Sequence, residues 1–167
     1  MAVVSYGLVD GLTFPLMFEI YQPKERLKLK DSYRSQPQIA SQMIREIKAM
    51  GFEIDCVLAD SLYGESTSTF IRALQGLNLH FAVAIRSNHG VRLPAEQRVR
   101  ANKWRKFERI FSEGSREIRY IREIIYGKKR ALRYWEITTD IETLPKNLTW
   151  YVMTQIPRVL AKEVGNL

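Results

Sequence analysis

The chain has 167 residues, of which 46% are hydrophobic, so it is long enough and apolar enough to fold as one domain around a buried core. It carries 26 lysine and arginine residues against 18 aspartate and glutamate residues, and the formal net charge of +8 favours a polyanionic partner, either nucleic acid or an anionic membrane surface. The single cysteine, Cys56, excludes an internal disulfide and argues against a cysteine-based zinc site. The sequence shows neither a signal-peptide pattern nor an apolar run long enough to cross a bilayer, so we expect a soluble protein of a reducing compartment.

The N-terminal residues predict a β-hairpin. Residues 2–9 and 12–21 have the composition of strands, and Asp10-Gly11 between them is typical of a tight two-residue turn. Pro15 has no N–H to donate to a strand ladder, so we expect it at an exposed edge or at a bulge.

Alternating helices and strands follow the hairpin. Ser35 and Gln38 have the spacing of a capping box, which predicts the start of a helix, and Gly51 is a plausible residue for its end. Two short apolar runs predict buried strands, and the amphipathic segment between them predicts a second helix. These three segments are residues 54–59, 66–77 and 79–85. Together with the hairpin they predict an α/β layer with a mixed sheet.

The second half of the chain predicts a basic, strand-rich segment. Residues 88–102 have the character of a loop, and residues 103–111 form a short basic stretch. Three further segments, residues 116–126, 130–138 and 148–154, alternate in the manner of a β-meander. Apolar side chains occur on both faces of the first of these strands, so the sequence does not assign its buried side.

The positive charge is concentrated in this second half. Residues 86–133 contain 15 basic and 5 acidic side chains, whereas the other residues contain 11 basic and 13 acidic ones. Aromatic residues lie among these charges, which is typical of a surface that binds phosphates and stacks on bases. In the alternative interpretation the aromatic residues form the core of a small sheet and the arginines solvate its outer face. The residues that we expect to contact DNA are Arg86, Asn88, His89, Arg92, Arg98, Arg100, Lys103, Trp104, Arg105, Lys106, Lys128, Lys129 and Arg130.

One carboxylate lies where a catalytic or metal-binding group is expected. Asp60 directly follows the predicted strand 54–59, and ligands of α/β sheets gather at the carboxyl ends of strands. A carboxylate there is suited to bind Mg²⁺ together with substrate phosphates. The alternative is that Asp60 caps the helix that follows.

Several stretches of the sequence resemble the bacterial insertion-sequence DDE transposases. The most specific is residues 57–66, VLADSLYGES, followed by residues 81–89. Further similarity lies in residues 98–104, 119–123 and 134–140. The chain is most similar to the branch that carries a β-rich insertion between the second and third catalytic carboxylates, and the resemblance extends over essentially the whole chain.

The resemblance implies an RNase H-like core in which three acidic residues bind two Mg²⁺ or Mn²⁺ ions for phosphoryl transfer. Asp60 matches the second acidic position, so it is the expected catalytic and metal-binding residue. The first and third acidic residues are expected upstream of the hairpin and beyond Leu167, which makes the chain an internal fragment, inactive alone. The implied organisation is a partial RNase H-like core (1–87), a basic β-rich insertion (88–157) and a return segment (158–167).

The function expected from the resemblance is therefore that of part of a DDE transposase, whose full-length parent cleaves DNA and transfers strands. The alternative is a non-catalytic DNA-binding module or a regulator of the full-length transposase. The expected partner is DNA, as transposon ends and target, with self-association or the full-length transposase as further candidates. We expect the protein in the cytoplasm, associated with the nucleoid and not with a membrane.

Overall fold

The computed structural model describes residues 1–29, 31–91, 98–111, 113–126 and 132–156. The chain forms two compact units. The first comprises Met1–Asp55 and Ser66–Leu79, and the second comprises Cys56–Glu65 and the chain from His80 onward. The mixed α/β architecture, with more sheet than helix, confirms the predicted fold class. No helix among the described residues is long and apolar enough to cross a membrane.

The first unit begins with the predicted hairpin, whose strands are β1 (Ala2–Val9) and β2 (Leu12–Ile20). Asp10 and Gly11 both have positive φ, 49° and 79°, as a two-residue hairpin turn that matches the strand twist requires. Pro15 lies opposite Tyr6 next to a register shift, so its expected position at a bulge is confirmed. Within the described residues the two strands pair only with each other, whereas we expected them to join a mixed sheet.

Helix α1 (Gln36–Ala49) packs against the hairpin and a short π-helical segment, Thr67–Ile71. The predicted capping box is confirmed, because the backbone N–H of Ser35 donates to Gln38 Oε1 at 2.8 Å and the Ser35 hydroxyl oxygen accepts from Gln38 N. The apolar stripe of α1 is buried and consists of Ile39, Met43, Ile44 and Ile47. The predicted helix 66–77 is divided into the π-helical segment and helix α3 (Arg72–Gly76). Helix α2 (Ser61–Gly64) belongs to the second unit. Two short 3₁₀ helices, Lys24–Arg26 and Lys146–Leu148, are also present.

The second unit is built on one seven-stranded sheet. Its strands are β3 (Cys56–Ala59), β4 (His80–Ile85), β5 (Val99–Ala101), β6 (Arg105–Ile110), β7 (Arg116–Tyr126), β8 (Arg133–Thr138) and β9 (Thr149–Thr154). Strands β3 and β4 pair in parallel, and all the other pairs are antiparallel. The order is β3-β4-β9-β8-β7-β5, with β6 also paired to β7. The three strands of the predicted meander are confirmed, while β5 lies in a region expected to be a loop.

The core of this sheet is aromatic and aliphatic. Phe107, Ile121, Trp135 and Ile137 form a buried cluster, against which Trp150, Val152 and Ile156 pack. Several of the aromatic residues that lie among the positive charges are therefore core residues, as the alternative interpretation of that segment predicted. The exception important for the site is Trp104, which is partly exposed and belongs to no buried cluster described in this part of the chain.

Candidate functional site

Asp60 lies directly after β3 and caps helix α2. Its backbone is extended, and its Oδ1 accepts a hydrogen bond from the Leu62 N–H at 2.9 Å. The side chain is exposed, and no other hydrogen bond to it occurs among the described residues. The capping role and the position at the carboxyl end of a parallel strand are thus combined in one residue, which leaves one carboxylate oxygen for a ligand.

A glycine allows the helix after Asp60 to lie against β4. A Cβ atom at Gly64 would be 2.0 Å from the carbonyl oxygen of Ala84 and 3.2 Å from Cγ2 of Val83. Only a residue without a side chain permits this approach, because the obstacle is backbone. The close contact fixes α2, and the carboxylate at its N-terminus, relative to the end of β4.

Glu65, immediately after α2, is tied to the turn that follows β4. Its Oε1 accepts from the Arg86 N–H at 2.8 Å, and its Oε2 is 2.9 Å from Nδ1 of His89. Burial alone would raise the pKa of Glu65, but the hydrogen bonds from Arg86 and His89 and their positive charge lower it more, so the net pKa lies below its ordinary value. The imidazole of His89 is only 10% exposed and stacks at a tilt on Tyr134, with the ring centroids 6.1 Å apart.

Sequence reasoning missed this Glu65 contact. The sequence signal that could have predicted it is the position of the two residues. Glu65 lies five positions after Asp60, and His89 follows shortly after the next strand. The same geometry shows that Glu65 is already occupied by two donors and does not act as a second free carboxylate beside Asp60.

The described residues do not assemble a two-metal site. Across the described ranges, no group of three or more histidine, cysteine, aspartate or glutamate side chains is placed to hold a metal ion. Asp60 supplies one carboxylate, whereas two-metal catalysis needs several ligands that hold both ions about 3.5–4 Å apart. The residues present therefore fit one ligand of such a site and no more.

The candidate DNA contacts fall into two described groups. Arg86 and Asn88 are exposed in the turn after β4, where His89 turns inward to Glu65. The second group lies on β5, the residue directly before it, the start of β6 and the residues between the two strands. These two strands pair one after the other with the same side of β7, at the edge of the sheet opposite β3. Its members are Arg98, Arg100, Lys103, Trp104, Arg105 and Lys106. Arg92, Lys128, Lys129 and Arg130 lie outside the described residues.

The basic edge, residues 98–106, differs from the neighbouring strands in its charge pairing. Its five cations are exposed, and none of them forms an ion pair within the described part of the chain. The segment contains no acidic residue. The arginines of β7 and β8 are instead paired with glutamates, and the pairs are Arg116–Glu108, Arg119–Glu117, Arg122–Glu136 and Arg133–Glu123. The unneutralised positive charge is therefore on the edge and not on the sheet faces.

The chain belongs to the DDE superfamily of endonucleases, whose family model matches residues 21–109, a range that includes both Asp60 and the basic edge. It is 55% identical over 166 residues to the probable transposase for insertion sequence element IS701 of Microchaete diplosiphon. This match covers 99% of the chain but only 44% of the relative's length. No solved structure matches the chain. The predicted family resemblance is confirmed.

Proposed function

We propose that this chain is part of a transposase and that it binds DNA along the basic edge, residues 98–106. The observation that carries the proposal is the charge pattern of that edge, where five exposed cations have no ion-pair partner in the described part of the chain while the arginines of β7 and β8 are paired. Unpaired lysines and arginines neutralise phosphates and release the counterions condensed on DNA, which drives binding. Arg86 and Asn88 are proposed as a second contact at the turn after β4.

We further propose that Asp60 contributes one metal-binding carboxylate to the active site of the full-length protein. An exposed carboxylate with a free oxygen, at the end of a parallel strand, is suited to a hard divalent cation such as Mg²⁺ or Mn²⁺. When bound, such ions activate the attacking oxygen and stabilise the leaving oxygen in phosphoryl transfer. Two features hold Asp60 in position: its hydrogen bond as the cap of α2, and the close packing of Gly64 of α2 against β4. DNA cleavage and strand transfer belong to this proposal for the full-length protein.

The domain division stays a prediction: a partial core over 1–87, a basic β-rich insertion over 88–157 and a return segment over 158–167. In this division β4 belongs to the core and β9 to the insertion. Because these two strands pair, the division requires that the core and the insertion share one sheet. Location near the nucleoid follows from DNA binding and is proposed with it. The second candidate is a non-catalytic DNA-binding role. It is favoured because the described residues gather no other metal-binding side chains around Asp60, and an Asp60 variant distinguishes it from the first.

The test is a neutralisation of the basic edge with a charge-matched control. Lys103, Arg105 and Lys106 are replaced together by glutamine, and the control replaces three exposed arginines elsewhere. The control residues are Arg26, Arg45 and Arg72. The affinity of both triple variants for duplex DNA is measured over a salt series. Each lost phosphate contact should reduce the slope of log K against log salt by about 0.9, so the edge variant should lose up to about 2.7 while the control keeps the wild-type slope.

The same experiment contradicts the proposal in two ways. If both triple variants lose affinity equally, net charge rather than the basic edge determines binding. If the edge variant binds as the wild type does, residues 98–106 do not contact phosphate. Because phosphate contacts carry no sequence information, the expected loss is uniform across unrelated duplexes.

A further inference from the structure

We propose that Arg122 is a positioning residue that holds the indole of Trp104 in place at the basic edge, where the ring stacks on an unpaired nucleobase. Arg122 would act through Trp104 and not by binding phosphate itself. The inference rests on the proposed function, because it requires DNA to lie along residues 98–106.

Arg122 is fixed by partners on two neighbouring strands. It lies directly opposite Glu136 in the pairing of β7 with β8, and its Nε and a terminal guanidinium nitrogen are both 2.6 Å from Glu136 Oε2. Glu136 in turn lies opposite Tyr151 of β9, whose hydroxyl donates to Oε1 at 3.2 Å. Burial, followed by the charge of Glu136, raises the pKa of Tyr151, which keeps this hydroxyl protonated as a donor.

The charge of Arg122 is already used inside the protein. The side chain of Glu136 is 4% exposed, and a buried carboxylate is stable only when it is paired and hydrogen-bonded. Arg122 is the cation that pairs with it. An arginine in this position has little charge left for a phosphate, in contrast to the five unpaired cations of residues 98–106.

The flat face of the same guanidinium supports Trp104. Its carbon lies 4.2 Å from the centroid of the indole ring. Trp104 lies in the short connection between β5 and β6 and is partly exposed, so it is not held by a strand ladder or by the buried core. A planar guanidinium stacks on an aromatic ring and binds a carboxylate at the same time, which the ammonium of a lysine does not.

A second arginine–indole pair in the chain provides an internal comparison. Arg119 is paired with Glu117 and lies 4.3 Å from the ring centroid of Trp150. Trp150, however, packs on the buried cluster of the sheet. Of these two pairs, the one at Trp104 combines support by an arginine with a place among exposed cations that have no ion pair in the described ranges. Such a combination is typical of a site where the backbone is held by charge and a base stacks on an aromatic ring.

The experiment uses a double-mutant cycle with single-stranded oligothymidine as the probe. The 167-residue chain and its variants Trp104→Ala, Arg122→Lys and the double substitution are titrated over a salt series, with Arg45→Lys, at an exposed arginine of helix α1, as the control. Trp104→Ala should weaken binding roughly 5- to 140-fold, the equivalent of about 1–3 kcal/mol for one stacked base. Arg122→Lys should weaken it as well, without a change in salt slope, and the double variant should bind no worse than Trp104→Ala. Arg45→Lys makes the same exchange away from the basic edge and should bind as the wild type does.

A second measurement needs no DNA and separates this inference from the proposed function. In protein labelled with 5-fluorotryptophan, the ¹⁹F resonance of Trp104 should move in Arg122→Lys while those of the other two tryptophans stay. Arg119→Lys should move the Trp150 resonance instead. An unmoved Trp104 resonance overturns the positioning role whatever the DNA result. Multiplicative losses in the cycle overturn it, because Arg122 then acts on the DNA independently of Trp104. A moved resonance with no oligothymidine binding by the wild type overturns the stacking of Trp104 on a base, whereas the proposed function is tested separately by the duplex titrations of the triple variants.

Discussion

Replacing Gly64 by alanine should destabilise the second unit through one backbone collision. The added Cβ would lie 2.0 Å from the Ala84 carbonyl oxygen. Contacts of a Cβ atom under 3.0 Å do not occur, so helix α2 and strand β4 must move apart by at least 1.0 Å. The obstacle is the backbone of a strand paired on both sides, which has no free rotamer to relieve the contact. Overpacking of this kind costs about 1–3 kcal/mol. The displacement also pulls on the Asp60 cap at the other end of α2.

Gly76 is the matched control. It ends helix α3, its φ is not positive, and a Cβ there meets no atom within 4 Å. Gly76→Ala should therefore leave stability unchanged or raise it by about 0.4–1 kcal/mol, because alanine reduces the freedom of the unfolded chain. Urea unfolding followed by circular dichroism measures both variants. The reasoning fails if Gly64→Ala unfolds at the wild-type urea concentration, or if Gly76→Ala is as destabilising as Gly64→Ala.

Two further predictions concern the acidic residues of the site. The folded-state pKa of Glu65 is lowered, so the stability that its carboxylate contributes is present above the ordinary carboxyl pKa of 4.5 and is lost as the pH falls through the lower folded pKa. The difference in unfolding free energy between wild type and Glu65→Gln, measured by urea unfolding, should therefore shrink from pH 7 to pH 3. A difference that stays constant over this range would contradict the prediction. Asp60→Asn should keep the helix cap and the DNA affinity but abolish metal-dependent cleavage by the full-length protein. Asp60→Ala should abolish cleavage as well and should also cost about 1 kcal/mol of stability, because alanine cannot cap the helix. An Asn variant that still cleaves DNA would refute the catalytic role.

Local signals in the sequence predicted local structure well. The turn at Asp10-Gly11 and the capping box of Ser35 each depend on neighbouring residues, and each is confirmed. The strand before Asp60 is present as β3, but the prediction that it is buried is wrong, since none of its residues is buried and Leu58 is exposed. The short strand β5 was missed, because three residues are too few to show a strand period. Strand β5 forms because it pairs with β7, and the sequence of residues 99–101 gives no sign of that pairing.

The contacts that organise the site could not be predicted in this way. Glu65 meets His89 across 24 residues, and Arg122 meets Glu136 across 14. Each pair depends on the register of strands and on turns between them, and nothing in the periodicity of one segment specifies its partner in another. The faces of β7 were ambiguous for a related reason, since this strand is paired on both sides and has Ile121 buried on one face and Arg122 partly buried on the other.

The pairing of β4 with β9 has a consequence for synthesis of the protein on the ribosome. Strand β4 ends at Ile85 and β9 begins at Thr149, so the 63 residues between them must be translated before the second neighbour of β4 exists. Until then β4, with the apolar Phe81 and Val83, has an open edge in the nascent chain, and such edges recruit other strands. The hairpin of β6 and β7 needs only local closure and forms early. Chains interrupted before β9 are therefore the species that we expect to aggregate or to need a chaperone.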